Sequence, residues 1–331
     1  MTIDSVRDYW DSRPCNVRHS KIDIDENPLA YSRQVTAKKY IVEPHILKFA
    51  ELYKWFGKKV LELGCGIGTD MLSFVQYGAD VTAVDLSEES VKIAAKRLEA
   101  HGHEGEVLLG VHNIERTFTG PKTLDNYERY GTHVDTIAAW ENSFDLVYSF
   151  GVIHHTPRPW MVVQNAYRYL KPGGTFKVML YHRRSTKALR ILLTNIGKLL
   201  QGWTVDGIIA LESEAQTGCP ITHTYTRKKG IDLLQSLGFS VQDTRVCHIF
   251  PYVGEHYGKG KYIKAFPWNI MPRWLFKWLE SKMGWHLCIT ATKPKSAWWV
   301  LAKEQGYLDD LEKQIRTAFL EKPILPTQKG E

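Results

Sequence analysis

The stretch that most constrains this chain is KVLELGCGIGTD, Lys59 to Asp70. It reads as a short apolar strand ending in an acidic residue, then a glycine-dense turn, then the start of a helix. Gly64, Gly66 and Gly68 tolerate positive φ and carry no Cβ, so the backbone here can turn tightly and lie against a ligand. A helix that starts just after the turn offers free N–H groups. These features suit a dinucleotide and other anionic ligands equally, so the flanking residues must discriminate.

The dinucleotide fingerprint spaces its glycines G-x-G-x-x-G. Here the spacing is G-x-G-x-G, and Glu62 precedes the first glycine by two. A carboxylate aimed into a pyrophosphate site would repel it, whereas the same group would attract an ammonium. The next strand, ADVTAVDLS, ends in Asp85, seventeen residues beyond Gly68. A carboxylate at that position can accept both hydroxyls of a ribose. A ligand with a ribose and an amino group but no phosphate is S-adenosylmethionine.

Four elements in order, VLELGCGIGTD, VTAVDLSEESVKIAAKR, FDLVYSFGVIHHTPRP and LKPGGTFKVMLYH, give the chain its resemblance to class I S-adenosylmethionine-dependent methyltransferases of the small-molecule type. The resemblance covers residues 41–182 well and 226–292 more loosely. It implies an α/β fold: a Rossmann-like, doubly wound, mostly parallel seven-stranded sheet with helical cap insertions. It also implies S-adenosyl-L-methionine as cofactor. Glu62, Gly64 and Gly66 would line the methionine end and Asp85 would hold the ribose. A residue in LLGVHNIER, Asn113 beside Ile114, would meet the adenine; many relatives carry Asp there, and an amide offers both a donor and an acceptor. Cys65, Gly68, Leu86 and Phe150 complete the expected lining.

Three segments follow from the pattern: an N-terminal cap segment (1–40), a core (41–292) and a C-terminal helical tail (293–331). Strands are predicted near 59–63, 80–85, 106–111, 144–149 and 174–181, with helices over 69–77, 87–101 and 159–170, the alternation of a parallel sheet. Pro44 to Phe56 reads as a helix, SVRDYW as a short helix capped by Ser5 or Asp4, and Glu115 to Asn142 as a surface excursion. Thr226 caps a helix that Gly238 stops. FSVQDTRVCHIF and WHLCITATK are strands six and seven, an antiparallel pair in this family. A tail helix is expected from Leu308 to Leu320. Two insertions, at about 183–225 and 251–284, follow carboxyl ends of strands and so sit beside the ligand crevice.

The 331 residues contain no apolar run of eighteen and no basic start followed by an apolar stretch, so neither a spanning helix nor a secretory signal is expected. Cys15, Cys65, Cys219, Cys247 and Cys288 are dispersed without a C-x-x-C pair, the pattern of reduced thiols in a cytoplasmic protein; no metal is expected. The net charge of +7 fits nucleic acid, an anionic membrane surface or an acidic substrate by sign alone.

The methyl donor needs no activation, so the protein must align the acceptor and remove its proton. GVIHHTPRP follows strand four, which places His154 and His155 near the methyl group. Tyr181 and His182 end strand five and open onto the same cleft. His223 and Tyr225 close the first insertion, His248 and Tyr252 open the second, and Arg18 and His19 lie in RPCNVRHS, where an Arg could clamp an anionic acceptor. Each could equally serve as packing at a cap edge.

The leading function is methylation of a small or mid-sized metabolite in the cytoplasm, with O, N, S and activated C acceptors open. The rivals are a lipid or quinone methyltransferase at a membrane surface and a catalytically silent cofactor-binding partner; no nucleic-acid partner is expected, and the sequence says nothing of oligomeric state. From Arg183 to Trp203, five basic residues and no acid flank an apolar helical face of Leu189, Leu192, Leu193, Ile196, Leu200 and Trp203. Met271, Trp274, Leu275, Trp278 and Leu279 repeat that pattern with Arg273, Lys277 and Lys282. Such helices can lie in a lipid interface; the expectation preferred here is that both faces pack as a lid.

Overall fold

A computed structural model describes residues 2–116, 140–214, 218–259 and 261–295. Its centre is a seven-stranded sheet in the order β3-β2-β1-β4-β5-β7-β6. The strands are β1 (Lys59–Leu63), β2 (Asp80–Asp85), β3 (Leu108–Val111), β4 (Phe144–Phe150), β5 (Leu170–Tyr181), β6 (Ser240–Cys247) and β7 (His286–Thr292). The first five pair in parallel, and β7 runs antiparallel between β5 and β6. Val60, Leu61, Leu63, Val81, Val84, Leu146 and Val147 are buried. Continuous apolar runs of this kind suit strands covered on both faces. The strand order reverses between β1 and β4, and open α/β sheets bind ligands at that point.

Local chemistry explains the helices of the core. Helix α4 (Thr69–Gln76) starts as soon as Gly68, at φ +72°, ends the turn. Helix α5 (Glu88–Ala100) is capped by the Ser87 hydroxyl, which accepts from Ser90 N–H at 3.0 Å, with Glu88 and Glu89 in its first turn. Helix α6 (Pro159–Tyr169) starts on proline. Thr226 caps α10 (Arg227–Ser236), and Gly238 at φ +91° follows its end, as its sequence indicates.

The N-terminal third departs from expectation. Helix α1 (Ile3–Ser12) is capped by Thr2 rather than Ser5 or Asp4. Helix α2 (Pro28–Val42) runs through the boundary drawn at residue 40. It buries Tyr31, Ser32, Val35 and Val42, and Tyr31 and Val35 pack on Ile67 of the glycine turn. The helix expected over Pro44–Phe56 is broken: α3 (His45–Ala50) stops at Glu51, whose φ of +52° is left-handed, and a 3-10 turn follows at Leu52–Trp55. Strand β5 begins at Leu170 rather than at residue 174 because Lys171–Gly174 stay in the strand. Glu115 is not at the surface; it is buried against Arg158, whose N–H and Nε donate to its two oxygens at 2.5 and 2.9 Å. Most of the predicted excursion and the tail helix over Leu308–Leu320 lie outside the described residues.

The first insertion holds α7 (Thr186–Thr194), α8 (Ile196–Leu200) and α9 (Val205–Glu212); the second holds α11 (Gly254–Gly258) and α12 (Arg273–Met283). Their apolar faces are only partly covered, which corrects the preferred expectation of a packed lid. Ala188 and Ile191 are buried, but Leu189, Leu193 and Ile196 are exposed and Leu200 is 85% accessible. Helix α12 leans on β6 and buries no residue, and its Trp274 is 72% accessible. An edge strand offers one layer of support, so a helix on it keeps its outer apolar strip in water.

Candidate functional site

The glycine turn is anchored to β2. Gly64 and Cys65 N–H groups both donate to Val84 O, at 2.7 and 3.1 Å. Gly66 has φ +54°, and a Cβ built there would meet no atom within 4 Å, so this backbone borders open space. At Gly64 a Cβ would run into Val152, and at Gly68 into Met71 and Ala94; those two glycines allow packing rather than ligand approach.

Asp85, at the end of β2, accepts from Gly66 N–H at 2.8 Å through one oxygen and from Ser87 N–H at 2.9 Å through the other. A carboxylate has about four acceptor positions, so both oxygens keep capacity for ribose hydroxyls. Burial raises its pKa, and the amides of Ser87 and Gly66 oppose that shift. Glu62 is 3% exposed, and its Oε2 has no hydrogen-bond partner among the described residues. Burial and the neighbouring Asp70 push its pKa well up, with Lys39 opposing. A buried carboxylate in that state gains from a cationic ligand group such as an ammonium. Asp70 is itself satisfied by Lys39 Nζ at 3.1 Å, Tyr40 OH at 2.9 Å and Tyr148 OH at 3.2 Å. Lys39 and Tyr40 come from α2, so the segment read as cap also braces Asp70 beside the candidate cofactor crevice.

After β3, Asn113 is buried and its Oδ1 accepts from Glu115 N–H at 3.0 Å, which fixes the amide beside the crevice. Ile114 is buried, and its carbonyl accepts from Asn165 Nδ2 at 3.0 Å. Cys65 is buried, Leu86 is half-buried, and Phe150 at the end of β4 stacks on Tyr148. These residues suit S-adenosylmethionine: a carboxylate for the ammonium, a carboxylate for the ribose and an open glycine between them.

The acceptor side has three buried aromatic layers. His154 is fully buried with its ring 3.7 Å, centroid to centroid, from Tyr181, which in turn lies 4.2 Å from Trp285. Both His154 ring nitrogens lack a well-formed hydrogen bond, their polar neighbour being the Met179 backbone. Burial, then the neighbouring His155, push its pKa well below the ordinary value, so His154 is a neutral imidazole.

His155 is in the opposite state. Its Nδ1 lies 2.8 Å from Ile221 O, an acceptor only, so that nitrogen carries a proton. Its Nε2 faces Glu214 Oε1 at 3.5 Å. Burial would lower this pKa; Cys219 and Glu214 outweigh it and raise it to about 10. Burial would raise Glu214, but the bond and charge from His155, then Lys187 and Tyr181, lower it to about 2. Tyr181 OH completes the set, donating to Glu214 Oε1 at 2.8 Å. Glu214 was not among the residues singled out by sequence; it sits in the first insertion with no motif around it.

The remaining candidates divide. His182 follows Tyr181 on the strand and so points to the other face; its Nδ1 bonds Gly284 O at 3.1 Å. His223 donates its N–H to His154 O at 2.8 Å, and its Nε2 is buried without a partner among the described residues. Tyr225 is buried beside the end of β5, bridged to His182, its N–H donating to Tyr181 O at 2.8 Å. Trp10 of α1 lies edge-on to His155 at 5.3 Å, so the N-terminal segment does reach the cleft. Nearby, His19 Nε2 meets Tyr257 OH at 3.1 Å, Tyr252 stacks on that tyrosine, and Arg18 is exposed. The fold also gathers Glu43, His45, His248 and His286, of which the sequence pattern pointed only to His248, as a cap-edge residue.

Two outcomes are expected. Asp85→Ala and Glu62→Gln should each weaken S-adenosylmethionine binding at least about tenfold, since bonds to charged groups contribute about 1.5–3 kcal/mol; calorimetric titration gives the affinities, and unchanged values in both would contradict the assignment. The buried ion pair should make stability depend on pH. Glu214 stabilises above its ordinary 4.5 and loses this as pH falls toward about 2. His155 stabilises fully below its ordinary 6.5 and loses this as pH rises toward about 10. The difference in urea stability between the protein and the His155→Gln/Glu214→Gln double variant should therefore depend on pH, being most in the protein's favour between about pH 4.5 and 6.5. A difference independent of pH from 5 to 9 would contradict the pairing.

Residues 61–176 match the family model described as a methyltransferase domain. Curated relatives include a ubiquinone biosynthesis O-methyltransferase from Idiomarina loihiensis, 30% identical over 157 residues, covering 47% of this chain and 49% of that protein. Another of the same name from Xanthomonas oryzae is 33% identical over 120 residues, 36% of this chain and 41% of that protein. The chain thus spans half or less of the length of these relatives. Among solved structures, magnesium protoporphyrin IX methyltransferase from Synechocystis aligns over 88% of this chain and 99% of its own at 14% identity and a TM-score of 0.50. A [4+2]-cyclase aligns over 89% and 98% at 17% identity and a TM-score of 0.52; these likenesses concern the fold. Sheet order, the crevice at Glu62, Gly66 and Asp85, and the matched segment together make residues 61–176 a methyltransferase domain of the class I S-adenosylmethionine-dependent kind.

Proposed function

We propose that the protein transfers a methyl group from S-adenosylmethionine to a hydroxyl of a small or mid-sized metabolite, a quinone-type phenol being the favoured class. The observation that carries this reading is the buried Glu62 carboxylate, with one oxygen unpartnered among the described residues, set two residues before a turn whose Gly66 backbone is open and bonded to Asp85. The name these relatives carry, O-methyltransferase, supports oxygen as the acceptor atom. Fold alone would not suffice, since a [4+2]-cyclase shares it.

The cofactor supplies an activated methyl group. The chain's own residues hold and deprotonate the acceptor. His154, a neutral imidazole with unused ring nitrogens, is the candidate to take the acceptor's proton. His155 is unsuited to that role because Cys219 and Glu214 favour its protonated form; it acts instead as a fixed positive charge that orients Tyr181 through their shared carboxylate. Tyr181 and Trp285 form the apolar wall against which an aromatic acceptor would stack.

A location at an anionic membrane surface is the second reading, favoured by one specific observation. Leu193, Ile196 and Leu200 on one insertion, and Trp274 and Trp278 on the other, are exposed beside Arg190, Lys198, Arg273, Lys277 and Lys282. Basic flanks with exposed tryptophan are the composition of an interfacial helix. Among the described residues no helix is long and apolar enough to cross a membrane.

Incubation with methyl-labelled cofactor and fractionated cell extract should place label in a phenolic small-molecule or quinone pool; label in RNA, or in no pool, would overturn the reading. On the acceptor so found, His154→Ala should lower turnover roughly a hundredfold, the usual scale of general-base loss, with cofactor affinity unchanged. Near-full turnover would remove His154 from that role. Sedimentation with anionic liposomes should give binding that weakens with salt, and Trp274→Ser/Trp278→Ser should reduce it; no binding even at low salt would exclude the membrane location.

A further inference from the structure

We propose that Glu43, His45 and His286, with His248 beside them, form a binding site for a single first-row divalent transition-metal ion next to the cleft. The four residues come from four places in the chain. Glu43 ends α2, its N–H donating to Lys39 O at 2.8 Å; His45 opens α3; His248 follows β6; His286 opens β7. Antiparallel pairing of β6 and β7 sets Cys247 opposite His286, which brings His248 alongside.

The donor atoms of Glu43, His45 and His286 surround one small volume; His286 turns Nδ1 to His45 and Nε2 to Glu43, and an ion would take one of those two nitrogens. His45 Nε2 and His286 Nδ1 are 2.9 Å apart. Glu43 Oε1 lies 3.7 Å from His286 Nε2 and 3.9 Å from His248 Nε2. The ligand atoms of Glu43, His45 and His286 all lie within 4.8 Å of one another. Two ligands about 2.1 Å from one ion and at right angles to each other stand about 3 Å apart, the separation found between the first two imidazoles. His248 sits at φ +68°, a left-handed conformation that is uncommon for a residue other than glycine and concentrates at functional sites. The side chain of Glu43 is 20% exposed and that of His286 only 5%, so an ion could enter past the carboxylate and rest among the imidazoles.

The donor set selects the ion class. Imidazoles with one carboxylate suit zinc, ferrous, cobaltous or manganous ions; magnesium and calcium prefer oxygen. His45 also lies near Cys247 and Cys288, a second set of donors. Those two sulfurs stand 3.6 Å from each other, and Cys247 Sγ lies 3.8 Å from His286 O; an ion held there would show a thiolate band, which separates the two sets.

The position gives the ion a task. His286 stands opposite Tyr181 in the β5–β7 register, and both His45 and His286 flank Phe150 at 6.0 and 5.5 Å. A metal there could coordinate an acceptor hydroxyl and a neighbouring oxygen and lower the hydroxyl's pKa. The proton leaves to water or to His154; the oxygen forms its bond to the methyl carbon as the carbon–sulfur bond breaks, its electron pair staying on sulfur. This task rests on the methyl-transfer reading, but metal binding does not, so the two fail separately.

The test uses the full chain stripped with a chelator and titrated with cobalt(II) and zinc(II), followed by calorimetry and visible absorption. One equivalent should bind, with cobalt d–d bands and no thiolate charge-transfer band. Glu43→Gln and His286→Asn should each weaken binding at least about tenfold, given that even outer-shell partners commonly matter by about 10–100-fold. Cys247→Ser/Cys288→Ser should leave it unchanged. Circular dichroism checks that each variant folds, and His45→Gln, which keeps a polar side chain, serves if another does not. No stoichiometric binding, a thiolate band, or unchanged affinity in the folded Glu43 and His286 variants would overturn the site.

Discussion

The cofactor crevice depends on one buried guanidinium. Arg97, on the inner face of α5, is fully buried and donates to Ile67 O at 2.6 Å, Thr69 Oγ1 at 2.8 Å, Ser32 Oγ at 3.0 Å and Thr36 Oγ1 at 2.8 Å. These acceptors belong to the glycine turn, the start of α4 and helix α2. A planar fork with five donors can hold three elements at fixed angles in a way no lysine could. Burial lowers its pKa to about 10, which still leaves it charged at neutral pH. Ile67 is thereby held against Tyr31 and Val35, and Gly66 keeps its open face.

From that latch the two halves of the cleft acquire different chemistry. On the donor side, carboxylates keep unused acceptor capacity: among the described residues Glu62 has an unpartnered oxygen and Asp85 accepts from the Gly66 and Ser87 amides. On the acceptor side, imidazoles differ in state within a few ångströms. His154 is neutral because burial and its charged neighbour disfavour a second proton, whereas Cys219 and then the buried Glu214 carboxylate favour the charged form of His155. A pair of like groups pushed apart by their surroundings allows one to accept a proton while the other holds a fixed field.

Much of this was legible in the sequence. The strands over Lys59–Leu63 and Asp80–Asp85 were readable to the residue, because apolar runs there are bounded by Lys or Asp and by glycine. Glu62, Gly66 and Asp85 were legible because their chemistry is set by spacing within one β-turn-α-β unit. Helix α2 was not, since its apolar residues show no strong periodicity and its value lies in what Arg97, Asp70 and Ile67 do to it. Glu214 and the Glu43–His45–His248–His286 group were not legible either. They are brought together by an insertion and by the β5-β7-β6 edge, and no local spacing records such meetings. Arg97 itself read as an ordinary basic residue near a helix end. The insertions' apolar faces were legible as faces, but not whether anything covers them.

The central claim is that a latched glycine turn and the end of β2 form the S-adenosylmethionine site. Hydrogen–deuterium exchange of the full chain with and without that cofactor tests it most directly, because amide protection reports position without requiring an acceptor. The account predicts new protection concentrated in residues 62–68 and 85–87. Protection absent from both segments while the cofactor demonstrably binds would contradict it.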